Sequence, residues 1–252
     1  MELMGYHAHA QARPRAMRAL IACLALAATL AIALQSDRAD AAPKVTVLGA
    51  ATPVNPSCPA NCQAIGKTTG FQTQIGRTTN PFRVPFAGKV VAWSIKLGRP
   101  SSKVEGDDEE SQMEFFNRFF GGPPTARLAV LKPIMKKIKE GKPIYKLKSQ
   151  SPLEQLTPYL GQTTTFTLQR PLTVKPNQVV ALTVPTWAPA FAVGTGNRTA
   201  WQASRKRGTC NSANDIRAGK PQQAPGKERA YGCTYRGARV LYSATLVKRP
   251  GG

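Results

Sequence analysis

Histidine is almost missing from this chain. Only His7 and His9 occur among its 252 residues. Beyond them the chain cannot build a Ser-His-Asp triad, a Cys-His pair or a histidine-ligated metal site. Acidic residues are scarce as well: 13 Asp and Glu stand against 35 Lys and Arg, for a net charge of +22. Such an excess bears on solubility and on attraction for polyanions, not on fold. Long helical periodicity is lacking, and no repeat of about 20–50 residues is visible. What remains is a basic, threonine- and valine-containing chain broken by 21 glycines and 21 prolines.

The first segment is set apart. Arg13, Arg15 and Arg18 precede a charge-free apolar segment, Ala19–Leu34, and Ala39-Asp40-Ala41 has the form of an A-x-A cleavage site. That order predicts a secretory signal peptide over residues 1–41, leaving 42–252 as a single domain. The apolar segment is shorter than the roughly 20 residues a membrane span needs, so no membrane span is expected after cleavage. Met17–Ala41 alone would make a compact signal, which predicts translation from Met17 instead of Met1. Leu20-Ile21-Ala22-Cys23 opens the apolar segment where a lipobox would close it, so lipidation is not expected.

Cleavage leaves four cysteines, Cys58, Cys62, Cys210 and Cys233. An even count in an exported chain predicts disulfides. Three pairings are open, and proximity favours Cys58–Cys62 with Cys210–Cys233. The second would close a loop worth roughly 3–4 kcal/mol. A four-cysteine zinc site is the rival, but only one pair has C-x₂₋₄-C spacing, so neither metal nor cofactor is expected. The acidic run Glu105–Glu110 lacks the ligand order of an EF-hand loop and reads as solvated loop.

Strand signals dominate the remainder. Thr163–Trp187 reads as two strands around a Lys175-Pro176-Asn177 turn, an antiparallel pair at the centre of a sheet. Val91, Trp93, Ile95 and Leu97 share one face at period two, which places Trp93 in the core. Lys44–Gly49, Gly70–Ile75, Thr125–Lys132, Asn197–Ser204 and Ala238–Lys248 also read as strands. Glu110–Phe120 alone has helical spacing, at Met113, Phe116, Phe119 and Phe120. Leu153, Leu156 and Tyr159 are expected to point inward. Gly141-Lys142-Pro143 reads as a turn, and Arg205–Tyr231 as a long surface loop held by Cys210–Cys233. The sum is an all-β, two-sheet antiparallel β-sandwich, jelly-roll-like, with one short helix and long basic loops.

Three segments carry a resemblance. PFAGKVVAWSIKLG (Pro85–Gly98), ARLAVL (Ala126–Leu131) and TFTLQRPLTVKPNQVVALTV (Thr165–Val184) resemble exported actinobacterial β-sandwich proteins. In those, P-F-x-G-x-V, R-L-x-V-L and L-x-V-x-x-G-x-x-V-A-L segments recur. The resemblance spans roughly Pro81–Val184, with a looser match to the C-terminal strand. Asn177 stands where the pattern has glycine. The resemblance implies the sandwich fold and implies no activity.

Charge supplies the functional expectation. Gly196–Arg236 holds Arg198, Arg205, Lys206, Arg207 and Arg217, then Lys220, Lys227, Arg229 and Arg236, against only Asp215 and Glu228. Tyr231, Tyr235 and Trp201 are interleaved. Arginine forks suit phosphate or carboxylate, and aromatic faces suit sugar rings. The expected partner is an anionic polymer or carbohydrate of the cell envelope, held without catalysis. A second basic stretch, Lys132–Lys148, carries seven lysines and one acid, Glu140. No nucleic-acid motif is present, so no specific nucleic acid is expected, although counterion release would give incidental binding. The alternative is a glycan hydrolase using paired carboxylates drawn from Glu140, Glu154, Asp215 and Glu228.

Overall fold

The computed structural model describes residues 44–106, 108–139 and 142–248. The signal peptide, the Met17 start and Gly141 lie outside the described residues, and Lys142 and Pro143, expected in the turn with Gly141, are strand instead. In chain order the strands are β1 (Val45–Leu48), β2 (Ile65–Ile75), β3 (Thr78–Thr79), β4 (Gly88–Lys96), β5 (Thr125–Lys139), β6 (Lys142–Gln150) and β7 (Glu154–Gln155). They continue as β8 (Thr163–Val174), β9 (Val179–Ala188), β10 (Phe191–Val193), β11 (Thr199–Ala203), β12 (Glu228–Ala230), β13 (Cys233–Arg236), β14 (Ala238–Val240) and β15 (Tyr242–Lys248). Among the described residues two short α-helices, α1 (Gln112–Phe120) and α2 (Ala213–Arg217), and a single 3₁₀ turn at Thr157–Tyr159 interrupt them.

The strands form an antiparallel sandwich. One sheet has the order β1-β15-β4-β8. The larger runs β12-β6-β5-β9-β2-β11-β13, with β3 and β7 paired at its side. Between them lie Trp93, Ile95 and Leu246 from the small sheet and Leu128, Val180 and Leu182 from the large one, all fully buried. Tyr242 fastens the layers: it stacks on Phe82 at 4.1 Å and its hydroxyl donates to the Val180 carbonyl at 3.0 Å.

Connectivity shows how far the large sheet curls. β12 and β13 lie at its opposite edges, yet only Tyr231 and Gly232 separate them in the chain. Three peptide units span at most about 11 Å, so the two edges must approach that closely. Tyr231 N–H bonds to the Pro143 carbonyl beside one edge, and Gly232 N–H to the Arg205 carbonyl beside the other. A Cβ on Gly232 would stand 2.6 Å from that Arg205 oxygen, so only glycine fits the seam. Inside the curl, Phe71 of β2 and Tyr145 of β6 meet edge to face at 5.3 Å, although β9 and β5 separate their strands. A flat sheet would hold those strands about 14 Å apart.

Several expectations need correction. Thr163–Val174 and Val179–Ala188 are strands, but not a pair: β8 edges the small sheet while β9 sits in the middle of the large one. The turn between them is a crossover, with Asn177 at φ +65° in the glycine-favoured region. Burial explains the split. β9 is apolar and covered on both faces, whereas β8 alternates exposed and buried positions as an edge strand does. In β4 the register shifts at Val91, so Val90 takes the core position and Val91 is half-buried. The C-terminal segment divides at Leu241, giving β14 to a small sheet with β10 and β15 to the four-stranded one. Leu153 is exposed, while Leu156 is buried. The expected helix exists as α1, capped by a Ser111–Glu114 box and seated by Phe116 and Phe120 against Trp187. Helix α2 has no apolar stripe and lies inside the segment expected to be plain loop.

Burial pushes the Tyr231 and Tyr242 hydroxyls well above the ordinary tyrosine pKa. A pKa raised in the folded state means that the unfolded chain releases its proton first. The stabilisation is then complete below the unfolded value near pH 10 and is lost as pH rises toward the folded one. Denaturant titrations at pH 9 and 11 should show a loss on the order of 1 kcal/mol per tyrosine for each pH unit above 10. Tyr242→Phe should shallow that slope; an unchanged slope would count against this origin.

Candidate functional site

The segment from Ser204 to Gly232 packs over the open end of the curl and builds two adjoining clefts. Disulfides Cys58–Cys62 and Cys210–Cys233 are both formed, and the second ties the start of this segment to β13. Tyr235 supports it by donating its hydroxyl to the Cys210 carbonyl at 2.6 Å. At the other side Gln222, almost fully buried, plugs the curled sheet. Its side-chain amide donates to the Tyr145 and Lys227 carbonyls at 3.1 and 2.7 Å, and its Oε1 accepts the Tyr231 hydroxyl at 2.9 Å. Its backbone exchanges bonds with the Thr69 hydroxyl, which also meets the Thr183 hydroxyl at 2.9 Å. Gly219 lies where the segment crosses β2: a Cβ there would come within 2.9 Å of the Lys67 carbonyl.

The first cleft, about 410 Å³, is lined by Arg205, Lys206, Arg207, Lys220 and Arg229, with Asp215 as its one carboxylate. The second, about 470 Å³, shares Gly219, Lys220 and Arg229 with the first. It adds Lys67, Lys227 and Glu228. Six of the nine basic residues expected at the site therefore stand around two contiguous hollows. Arg198, Arg217 and Arg236 are exposed but line neither.

Arg205 has a different job from the one its charge suggests. It is buried, and its guanidinium donates to the Tyr235 hydroxyl and to the Gly66 carbonyl, both at 2.7 Å. It holds the cleft floor. Arg229 donates to the Lys220 carbonyl and so braces the wall shared by the two hollows. The interleaved aromatics are also structural. Trp201 is buried and stacks on Tyr235 at 4.5 Å, and Tyr231 is fully buried. None of the three lines either cleft, so neither offers a sugar-stacking face from them. The sequence pattern gave no signal for Lys67. It reaches the site because β2 bulges between Gly66 and Thr68, and it has a φ of +48°.

The carboxylates considered for hydrolysis that are described line three different hollows. Asp215 lines the first cleft, Glu228 the second, and Glu154 a separate groove between the sheets, where burial raises its pKa. Glu140 lies outside the described residues. A glycosidase holds two carboxyl groups about 5–10 Å apart, and none of these hollows is lined by two of the four. Among the described residues no group of three or more His, Cys, Asp or Glu side chains is placed to hold a metal ion. Nor is any described helix long and apolar enough to cross a membrane. Paired cysteines fit an extracytoplasmic chain. No family model, no curated protein and no solved structure matches this chain.

Proposed function

We propose that the chain is a secreted, non-catalytic protein of the cell envelope that holds an anionic polymer or acidic carbohydrate in the clefts under its disulfide-closed loop. The observation that carries this reading is the gathering of Lys206, Lys220, Lys227 and Lys67 around two contiguous hollows with one carboxylate each. A solvated loop needs no such concentration of one sign. Phosphate or carboxylate groups entering the clefts would replace mutual repulsion among these cations with pairing. The resemblance to exported actinobacterial sandwich proteins supports the location and leaves the ligand to the clefts. Without aromatic platforms, recognition rests on charge, so it is salt-sensitive and tolerant of backbone chemistry.

The test is retention on phosphate- and carboxylate-bearing polymers at rising salt. Affinity should fall at least about tenfold between 50 and 200 mM salt, as counterion release demands for several contacts. Lys206→Ala/Lys220→Ala should weaken it further without changing the melting temperature. Binding that is absent, or flat across that salt range, removes the proposal.

A further inference from the structure

Two more basic hollows lie beyond the clefts. The larger, about 1090 Å³, is a groove between edge strand β8 and the β5–β6 pair. Its β8 wall has left the ladder. Val90 pairs with Leu172 and Ala92 with Thr167, so residues 168–171 face Val91 alone and bulge outward, carrying Arg170 to the groove. The smaller, about 540 Å³, is lined by Arg83, Lys132, Lys148 and Lys175 and by no carboxylate. Those four cations form no ion pair among the described residues. The two hollows share Lys148, Lys175 and Gln178.

The link to the clefts is Arg127. It lines the groove, and its Nη2 donates at 3.4 Å to Gln223, which lines the second cleft. Hollow therefore adjoins hollow from the Cys210–Cys233 loop to the β8–β9 crossover. Only Asp215, Glu228 and Glu154 bring negative charge to the lining.

We infer that the ligand is a long, linear polyanion lying along the whole track, with repeating phosphate or carboxylate groups meeting cations in successive hollows. This rests on the polyanion reading above and specifies the ligand's length and path. A short anion occupies one hollow. A chain anchored in one hollow presents its next groups to the neighbour at high effective concentration, so affinity climbs with length until the track is covered. The far end matters as much as the near end, although no residue of the disulfide-closed loop lies there.

The experiment compares long-chain polyphosphate with tripolyphosphate, and polygalacturonate with digalacturonate, by calorimetry at several salt concentrations. Two pairs of exposed lysines are changed separately: Lys206→Ala/Lys220→Ala at the near end and Lys132→Ala/Lys175→Ala at the far end. Each pair should lower the slope of log affinity against log salt by about 1.5 for the long chains. Tripolyphosphate and digalacturonate should bind far more weakly, and one long chain should saturate one protein. A far-end pair without effect, beside an effective near-end pair, overturns the track and leaves the cleft reading standing. Affinity independent of chain length, with two short ligands bound per protein, also overturns it by showing separate sites. No binding of any of the four probes removes both proposals. A phosphate-only or carboxylate-only response identifies the repeating group and supports the track if the length dependence holds.

Discussion

Gln222→Leu is expected to lower stability by about 3–4 kcal/mol in denaturant titrations, an outsized effect for a residue in a nominal loop. Leucine nearly matches glutamine in bulk but can neither donate to the Tyr145 and Lys227 carbonyls nor accept the Tyr231 hydroxyl. Lys227 retains the bond from the Leu147 amide and Tyr145 stays paired with Arg229 in the β6–β12 ladder, so the largest penalty falls on the Tyr231 hydroxyl. Tyr231 is fully buried, so its hydroxyl depends on partners inside the fold. Leaving a buried polar group unpaired costs about 1–3 kcal/mol, beyond the loss of the bonds themselves. Tyr231→Phe removes one member of the same network and should cost only about 1–2 kcal/mol. Combining it with Gln222→Leu should cost less than the sum of the two, because both remove one shared bond. A leucine variant within 1 kcal/mol of wild type would mean that the plug does not hold the segment down. Polyanion affinity should fall along with stability, since Gln222 lies in the wall of the second cleft.

Removing the Cys210–Cys233 bridge with Cys210→Ala/Cys233→Ala should cost a similar amount, about 3–4 kcal/mol, by freeing a loop between positions 23 apart. Cys58→Ala/Cys62→Ala should cost about 2 kcal/mol, because its positions are only four apart. The functional consequences should separate more sharply than the stabilities. The Cys210–Cys233 bridge fixes Arg205–Thr209 against β13, and those residues form one side of the first cleft. Opening it should weaken retention on anionic polymers under conditions where both variants remain folded. The Cys58–Cys62 variant should bind like wild type, since neither cysteine lines either basic cleft. Equal binding by both variants would separate the bridge from the site.

Much of the β content was legible because period-two patterning and turn residues are local signals. Trp93 fell in the core as its row of apolar neighbours indicated, and Phe116 and Phe120 turned inward at helical spacing. That β8 and β9 belong to different sheets was not legible, because the turn between two strands does not reveal whether the second stays in the sheet or crosses to the other. Their unequal burial held the clue: a continuous apolar run such as Val179–Val184 belongs between two covers. The basic segments were visible as composition, but composition does not distinguish a cation facing a cleft from one holding its floor. Arg205 and Lys206 are neighbours in sequence, yet the first is bonded inside the fold and the second is exposed.

The sequence by itself determined the excess of positive charge, the near absence of histidine, the strands and the cysteines available for pairing, because these depend on residue identity and short-range spacing. Tertiary structure alone decided that the large sheet curls until Tyr231 and Gly232 bridge its edges, and which cations converge. Those outcomes come from strand twist, bulges at Lys67 and Val91, and contacts between residues more than a hundred positions apart such as Thr69 and Gln222. No local pattern in the chain encodes such distant meetings; they follow from burying both faces of the large sheet at once.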